Sequence, residues 1–522
     1  MNILTPILTG ALLATSGVPA VASADPAARS FVGGSFSTCF WNFGAVGDDP
    51  EYNIAYPDAG ATYWAAYYRR PPGSVLELEG TYPYARYMSL ISYDRLGQPV
   101  DGIADYQMVP MPGSGNPFRP GAARNTREGQ RAFAVAISPD ANPGFTIRDP
   151  RNNEPQRNIL YTKPDPTKGQ VPHARETVDE GETLGLELLV YRVYVPDTGL
   201  NLTGNVGLPR PKLTLADGSV LTGQAACDAV DAQSRDYQAR TGNPAVTRLP
   251  DPSALLIDDE RYSALRYPER LQDGAQVTVY PPPGQPGAPL YQAARTVVNP
   301  AAFPASFEPT QDQNRRSTEW RAQYNRRYLL QLWTGDEAAG AENSPQRVGG
   351  GFFPNIHNNY VRTALHRSFG KVAVIRGTLP TAPATRDHQP VMGTGEVRYV
   401  SMCMNESVKT TRVMGCVFDE EIPTDAQRRY TVVTSRTADR PANARSECGV
   451  AWIEWSVAGD GFKDPDFGWF QIRNMLPDVG FKHAVQDTRI PGDEIAAMGA
   501  YLPHVEYTST KAFEDLGCVQ GP

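Results

Sequence analysis

Histidine is scarce in this chain, six in 522 residues, and the motifs through which common enzymes work are missing. No G-x-S-x-G turn raises a nucleophilic serine, and Gly113-Ser114-Gly115 lacks the strand-turn-helix setting such a serine needs. H-E-x-x-H, the glycine-rich phosphate loop and the dinucleotide fingerprint are likewise absent. No C-x-x-C spacing offers a structural zinc site, so no metal is expected, and the sequence names no cofactor. Positive charge is also short: 49 Lys and Arg stand against 57 Asp and Glu, and a net charge of -8 gives no basic field for nucleic acid. Beyond the first 24 residues no apolar run is long enough to cross a bilayer.

Residues 1–24 carry no charged side chain, and the apolar run Ile3 to Val21 leads to Ala22-Ser23-Ala24 before Asp25, an A-x-A cleavage signature. The expectation is a cleaved signal peptide and a secreted or periplasmic protein with no transmembrane segment after cleavage. An uncleaved anchor is the alternative, against which Pro6, Gly10, Gly17 and Pro19 argue. Six cysteines in an exported chain permit three disulfides. Cys39 and Cys227 bracket the first half and are natural partners. Of the three pairings open to the rest, Cys403 with Cys416 is preferred, because a short polar turn joins their strand-like segments. That leaves Cys448 with Cys518.

Gly and Pro are abundant, 47 of each, which favours short strands joined by turns. Residues 55–83 are also written twice, and 352–380 align with them without a gap at an offset of 297. Eight of the 29 positions are identical: Pro57/Pro354, Tyr63/Tyr360, Arg70/Arg367, Gly73/Gly370, Val75/Val372, Gly80/Gly377, Thr81/Thr378 and Pro83/Pro380. The same offset relates 130–135 to 427–432. The expected fold is therefore mainly β: two related antiparallel, jelly-roll-like β-sandwich domains from an internal duplication, with a partly helical connector. The expected bounds are 1–24 for the signal, 31–227 for copy one, 228–345 for a Pro-rich connector, and 346–522 for copy two with a helical tail. Period-two or β-rich segments predict strands at Val75 to Glu79, Arg86 to Tyr93, Tyr106 to Val109, Arg131 to Ile137, Gly185 to Val195 and Lys212 to Leu215. Their counterparts are expected at Val372 to Ile375, Val397 to Met404, Met414 to Phe418, Tyr430 to Thr434, Val450 to Trp455 and Trp469 to Arg473. Helices are expected at Ala229 to Arg240 and Ser317 to Leu332, and a polar loop at Asp149 to Glu182.

The stretch Tyr82 to Tyr93, Gly113 to Phe118 (GSGNPF), Leu188 to Asp197 (LLVYRVYVPD) and Gly207 to Leu215 (GLPRPKLTL) resemble a bacterial family known as domain of unknown function 1214, often joined to the related domain of unknown function 1254. The resemblance covers roughly Tyr63 to Gly218. It implies β-sandwich folds and export, and it brings no catalytic residues.

Three side-chain groups are candidates for function. His357, His366 and His388 fall in copy two, beside Asp387 and Glu396, where copy one has Gly60 and Arg69 at the first two positions. Clustered imidazoles with a carboxylate could bind a metal or share acid-base work near neutral pH; separately solvated or hydrogen-bonded loop histidines are the bland reading. Arg86-Tyr87 recurs as Arg398-Tyr399, and Arg192 as Arg473. Such arginines usually fork onto carboxylates or carbonyls to fix a corner, though paired Arg and Tyr, with Tyr360, could also line a cleft for an anionic or sugar-like ligand. Finally, tyrosines crowd residues 63–93 and either fill a core or grip a ligand. The function these features favour is binding of a small or oligomeric ligand, a carbohydrate or apolar molecule, in a cleft between or beside the copies. The alternatives are an extracellular hydrolase or lyase on a carbohydrate, ester or similar polymer, and a structural envelope protein. The seventeen residues between Pro380 and Arg398, against two in copy one, are the expected place of recognition.

Overall fold

The computed structural model describes residues 39–48, 53, 56–94, 97–144, 151–168, 170, 187–241, 320–322, 353–367, 369–406, 412–459, 465–490 and 492–518. The expected signal peptide and most of the connector, including Pro281 to Pro283, lie outside the described residues.

With strands numbered along the chain, the first sandwich has one sheet in the order β1 (Phe43–Val46), β2 (Ala61–Tyr68), β8 (Glu187–Pro196), β4 (Ala85–Tyr93), β5 (Pro99–Ala104). Its second sheet runs β10 (Val220–Thr222), β9 (Arg210–Thr214), β3 (Val75–Thr81), β6 (Ala132–Ser138), β7 (Ile159–Tyr161). The second sandwich repeats the plan. One sheet is β11 (Arg321–Ala322), β12 (Asn358–His366), β18 (Phe467–Met475), β14 (Tyr399–Asn405), β15 (Val413–Phe418); the other is β17 (Val450–Glu454), β16 (Arg429–Ser435), β13 (Val372–Thr378), β19 (His504–Thr508). Even the exceptions match, because β6 with β7 and β16 with β17 are parallel pairs in otherwise antiparallel sheets.

The repeated residues occupy repeated places. Gly80 faces Phe133 across β3 and β6, and a Cβ on it would lie 2.6 Å from the ring. Gly377 faces Tyr430 in the same register, with its hydroxyl 2.9 Å from that Cβ position. Both glycines make room for an aromatic cross-strand neighbour, so close packing rather than a positive φ explains them. The two sheets differ where their outer faces meet different surroundings. Glu77 and Glu79 on β3 point outward to Lys212 at 2.9 Å, so only Leu76 and Leu78 are buried. On β13, Val372 and Val374 are buried too, under Phe513 of the short helix Thr510–Glu514.

The three cysteine pairs are Cys39–Cys227, Cys403–Cys416 and Cys448–Cys518, with Cα separations of 5.0, 4.0 and 4.5 Å. The middle pair links directly opposed residues of β14 and β15.

Several elements depart from the sequence expectation. Tyr106 to Val109 is not a strand: Asp105–Gln107 is a 3-10 turn, and the edge strand is the preceding β5, whose Pro99 and Gly102 disguise it. Ser317 to Leu332 is not a helix where described, since Arg321–Ala322 pairs with β12, adding a connector segment to the second sandwich. The helix expected at Ala229 to Arg240 starts earlier and spans Gly223–Thr241. The supposedly extra C-terminal tail supplies β19, which takes the place that β9 has in the first sandwich. Within the loop Asp149 to Glu182, Arg151 donates to the carbonyls of Asp478 and Phe481 at 2.9 and 2.7 Å and so docks on the second sandwich.

Candidate functional site

Strand alternation sends Val361 and Leu365 of β12 into the core of the second sandwich, which leaves Asn358, Tyr360 and Arg362 on the outer face of the sheet. Across that face Tyr360 stands opposite Arg473, and Arg473 opposite Ser401. The first sandwich presents the same row, Tyr63 to Arg192 to Ser89. These outer faces meet in a buried seam, where Tyr194 packs on Tyr399 at 5.4 Å and Asn358 Nδ2 donates to the Tyr194 hydroxyl at 3.2 Å.

Each face is also covered by a segment from the other sandwich. The stretch before β2 lies on the second sandwich, with Arg473 Nη2 donating to the carbonyls of Tyr56 and Pro57 at 2.8 and 3.1 Å. The stretch before β12 lies on the first, with Arg192 Nη2 donating to the Phe353 carbonyl at 2.8 Å and the Tyr93 hydroxyl to the Pro354 carbonyl at 2.8 Å. Tyr56 and Phe353 both adopt left-handed backbone, φ 54° and 50°, a conformation that aromatic residues accept only when their surroundings impose it. The seam therefore has an approximate twofold, with contacts made reciprocally as in an isologous dimer.

That symmetry extends to the polar groups at its centre and breaks at two positions. In one half, Asp58 Oδ1 accepts from the Tyr399 hydroxyl at 2.9 Å and from the Gly60 backbone N–H at 3.0 Å. Its Oδ2 accepts from Ser401 Oγ at 2.7 Å and Arg473 Nη1 at 3.1 Å. In the other half the equivalent residues are Asn355 and His357. Asn355 Oδ1 accepts from the Tyr87 hydroxyl at 3.2 Å and the His357 backbone N–H at 3.0 Å. The second atom of this side chain is an amide nitrogen, so it cannot accept from Arg192 as Asp58 does from Arg473. Where Gly60 has no side chain and the Tyr399 hydroxyl lies 2.5 Å from the position of a Cβ, His357 carries a ring whose Nδ1 is hydrogen-bonded to the Tyr87 hydroxyl at 2.6 Å. Burial, with the nearby Arg157 and Arg192 cations, lowers the His357 pKa to about 3, so the ring is neutral at physiological pH.

The sequence-predicted site residues do not converge. His357 immediately precedes β12 and His366 ends it, roughly 30 Å apart at about 3.3 Å per residue. His388 is exposed on the long insertion, where its Nε2 is hydrogen-bonded to the Thr198 carbonyl at 2.8 Å beside Asp387. Glu396 is occupied by Thr381 N–H at 2.8 Å and the Tyr501 hydroxyl at 3.1 Å. The insertion itself fastens the sandwiches together: Arg124 Nη1 donates to the Gln389 carbonyl at 2.8 Å, Gly121 N–H donates to the Met392 carbonyl at 2.8 Å, and Met392 N–H donates to the Ala122 carbonyl at 2.9 Å. Arg86 and Arg398 likewise bridge the copies. Arg86 donates to both carboxylate oxygens of Asp419 at 2.6 Å, while Arg398 Nη1 lies 3.6 Å from Asp105 and 3.3 Å from the Arg86 carbonyl. Burial raises the Asp105 pKa to about 6, against the pull of Arg398. Among the described residues, Asp58, Cys403 and Cys416 group their polar atoms within 4.8 Å, but the two sulfurs are bonded to each other and Arg473 supplies the counter-charge, which does not suit a cation.

Sequence reasoning singled out Arg192 and Arg473 as repeats. It missed Asp58 and Asn355, although both lie inside the 55–83 and 352–380 alignment as an Asp-to-Asn difference.

Among solved structures, one of an uncharacterized protein from Burkholderia cenocepacia matches over 90% of this chain and 84% of its own, at 11% identity and a TM-score of 0.41. The VPA0106 protein from Vibrio parahaemolyticus matches over 87% of this chain and 90% of its own, at 10% identity and a TM-score of 0.33. No family model and no curated protein matches the chain.

Proposed function

We propose that this chain is an exported, disulfide-linked protein of the domain of unknown function 1214 type, whose halves descend from one duplicated sandwich and which binds a small ligand in the seam between them. The observation that carries this reading is chemical. Seam side chains that are nine-tenths or more buried hold polar atoms that no protein group satisfies: Arg192 Nε and Nη1, Asn355 Nδ2, Asn358 Oδ1, Arg362 Nη1 and Gln471 Nε2. Each such atom costs about 1–3 kcal/mol if left without a partner, so their number along the seam points to a ligand. The dispersed histidines give an enzymatic reading no comparable support.

The test is native mass spectrometry of the protein isolated from an exporting host, before and after denaturation. A thermal-shift panel of sugars, fatty acids and short carboxylates accompanies it. The expected result is a released small molecule, or a panel member that raises the melting temperature by about 3 °C. Absence of both would remove the binding reading.

A further inference from the structure

The Arg473 half of the seam shows what its partner half lacks. There, a buried guanidinium, a serine hydroxyl and a tyrosine hydroxyl converge on the carboxylate of Asp58. In the other half the guanidinium, serine and tyrosine recur as Arg192, Ser89 and Tyr87, in identical register, but Asn355 replaces the carboxylate. Arg192 is 2% exposed, and among the described residues no carboxylate is paired with it. Its Nη2 is used by the Phe353 carbonyl and the Tyr93 hydroxyl; its Nε and Nη1 reach no protein acceptor. Tyr63 and Tyr93 lie over it, with 5.5 and 5.4 Å to their ring centroids, but Arg473 has the equivalent Tyr360 at 5.5 Å and still takes a carboxylate. Cation–π contact thus does not substitute for the missing anion.

Asn355 cannot resolve this by turning its amide over. The His357 backbone N–H donates to Oδ1 at 3.0 Å, which holds the oxygen on that side and leaves Nδ2 buried without a protein acceptor. The Asn355 amide nitrogen and two guanidinium nitrogens of Arg192 are therefore buried without a protein acceptor in the half that matches the Asp58–Arg473 pair. An arginine cannot relieve this by losing its proton. His357 cannot help by gaining one, since its ring is hydrogen-bonded to Tyr87 and is itself held neutral by burial and the adjacent cations.

We infer that this half of the seam is a binding site for the carboxylate group of a small ligand, received by Arg192 Nη1 and Asn355 Nδ2 as Asp58 is received by Arg473 and Ser401. The inference rests on the seam-binding reading above and narrows its ligand class. A carboxylate is favoured because the matching guanidinium, Arg473, takes one. The flanking Tyr63, Phe353 and Ile356 suit a ligand whose remaining body is apolar. Of the residues around Arg192, Tyr63 and Phe353 are only partly buried.

The test compares wild type with Asn355→Asp, which restores an internal carboxylate, and Arg192→Met, which removes the cation. Melting temperatures are followed against acetate, butyrate and benzoate, against sulfate and phosphate, and against acetamide and neutral sugars at matched ionic strength. Wild type is expected to gain about 3–5 °C with a monocarboxylate at a hundredfold excess over its dissociation constant, and nothing with acetamide. Asn355→Asp is expected to melt higher than wild type without ligand and to lose the carboxylate response. Arg192→Met should lose it as well, and if that variant does not fold, Asn355→Asp still decides the matter. Stabilisation by sulfate or phosphate but not by carboxylates overturns the carboxylate assignment. A response to neutral ligands alone overturns this inference and leaves the seam-binding reading standing, whereas no response to any compound sinks both. A higher-melting Asn355→Asp beside an unresponsive wild type means that water satisfies Arg192, which also overturns the site.

Discussion

Arg473 of the second sandwich and Asp58, which precedes the first, form a buried ion pair across the seam, 3.1 Å from Nη1 to Oδ2. Neither side chain is more than 2% exposed, so solvent screens the pair very little. Replacing Asp58 by Asn leaves a buried guanidinium facing an amide, as Arg192 already does. The expected cost is about 3–5 kcal/mol, read as a lower denaturant midpoint. A second expectation separates charge loss from general damage: Asp58→Asn should acquire a carboxylate-dependent melting temperature at the Arg473 half. A variant as stable as wild type would show that the ion pair does not hold the seam together.

The glycine pairs predict a steric cost with a specific remedy. Gly80→Ala would drive its Cβ to 2.6 Å from Phe133 and should cost about 1–3 kcal/mol by overpacking. Adding Phe133→Leu should recover part of that loss, as a double-mutant cycle would show. Gly377→Ala should resist the equivalent rescue by Tyr430→Leu, because its Cβ would also lie 3.2 Å from the Pro503 backbone. Equal rescue at both positions would contradict this packing account.

These pairs also show what the sequence made legible. Alternating apolar positions placed β3, β4, β6, β8 and their counterparts, because each must bury one face of a sheet or two. The gapless alignment of 55–83 with 352–380 gave the repeated sandwich plan, and the segments around the cysteines gave their pairing. Hidden elements were those whose partners lie far away in the chain. β5 carries Pro99 and Gly102 and is a strand because β4 supplies its ladder; β19 is one because β13 does. The histidines misled for the same reason, since closeness along an extended strand separates side chains in space. The centre of the seam was present as an Asp58-to-Asn355 difference, but nothing local marks a carboxylate whose arginine lies 415 residues away.

Acid should act on the fold through two buried groups of opposite sign. His357 titrates near 3 in the folded chain and near 6.5 unfolded, so its contribution is complete above about pH 6.5 and is lost as pH falls toward 3. Asp105 titrates near 6 folded and 3.8 unfolded, so it stabilises below 3.8 and loses that stabilisation as pH rises through 6. The two slopes partly cancel between pH 4 and 6 in the wild type. His357→Gln should remove one of them. Its melting temperature relative to wild type should therefore improve steadily from pH 7 to pH 4, whereas a pH-independent difference would mean that the imidazole titrates normally.

The cross-link between Cys39 and Cys227 closes the longest of the three loops, 188 residues apart in sequence. In the chain-entropy picture, removing it with Cys39→Ser and Cys227→Ser should lower stability by up to about 5 kcal/mol. Opening Cys403–Cys416, with a separation of 13, should cost less, about 3 kcal/mol, since its loop confines fewer unfolded conformations. Guanidinium unfolding of the two double variants gives the order, and a reversed order would show that native packing around the sulfurs outweighs loop closure.

The long insertion was expected to serve recognition, and its contacts make a different prediction for its removal. Thr385 is fully buried and, through Oγ1, accepts a hydrogen bond from Arg86 Nε at 3.0 Å, while the Thr385 and Gln389 carbonyls accept from Arg124 Nη1 at 3.2 and 2.8 Å. Arg386 receives the Thr198 N–H at its carbonyl at 2.7 Å, and Ala123 bridges to Val391. A recognition loop standing free on a sandwich could be shortened at little cost. This one holds two buried arginines of the first sandwich, and removing 382–394 would leave Arg124 Nη1 and Arg86 Nε without these acceptors. The deletion bridged by Gly-Ser should therefore lower the melting temperature by several degrees and speed proteolysis between the sandwiches. His388→Ala should change neither by much, because that side chain is 58% exposed, with its Nε2 at the Thr198 carbonyl and its Nδ1 no closer than 3.7 Å to Asp197. A deletion variant that melts with wild type and loses a ligand response would return the insertion to its expected role; one that melts early and keeps the carboxylate response of Arg192 would place recognition in the seam and fastening in the loop.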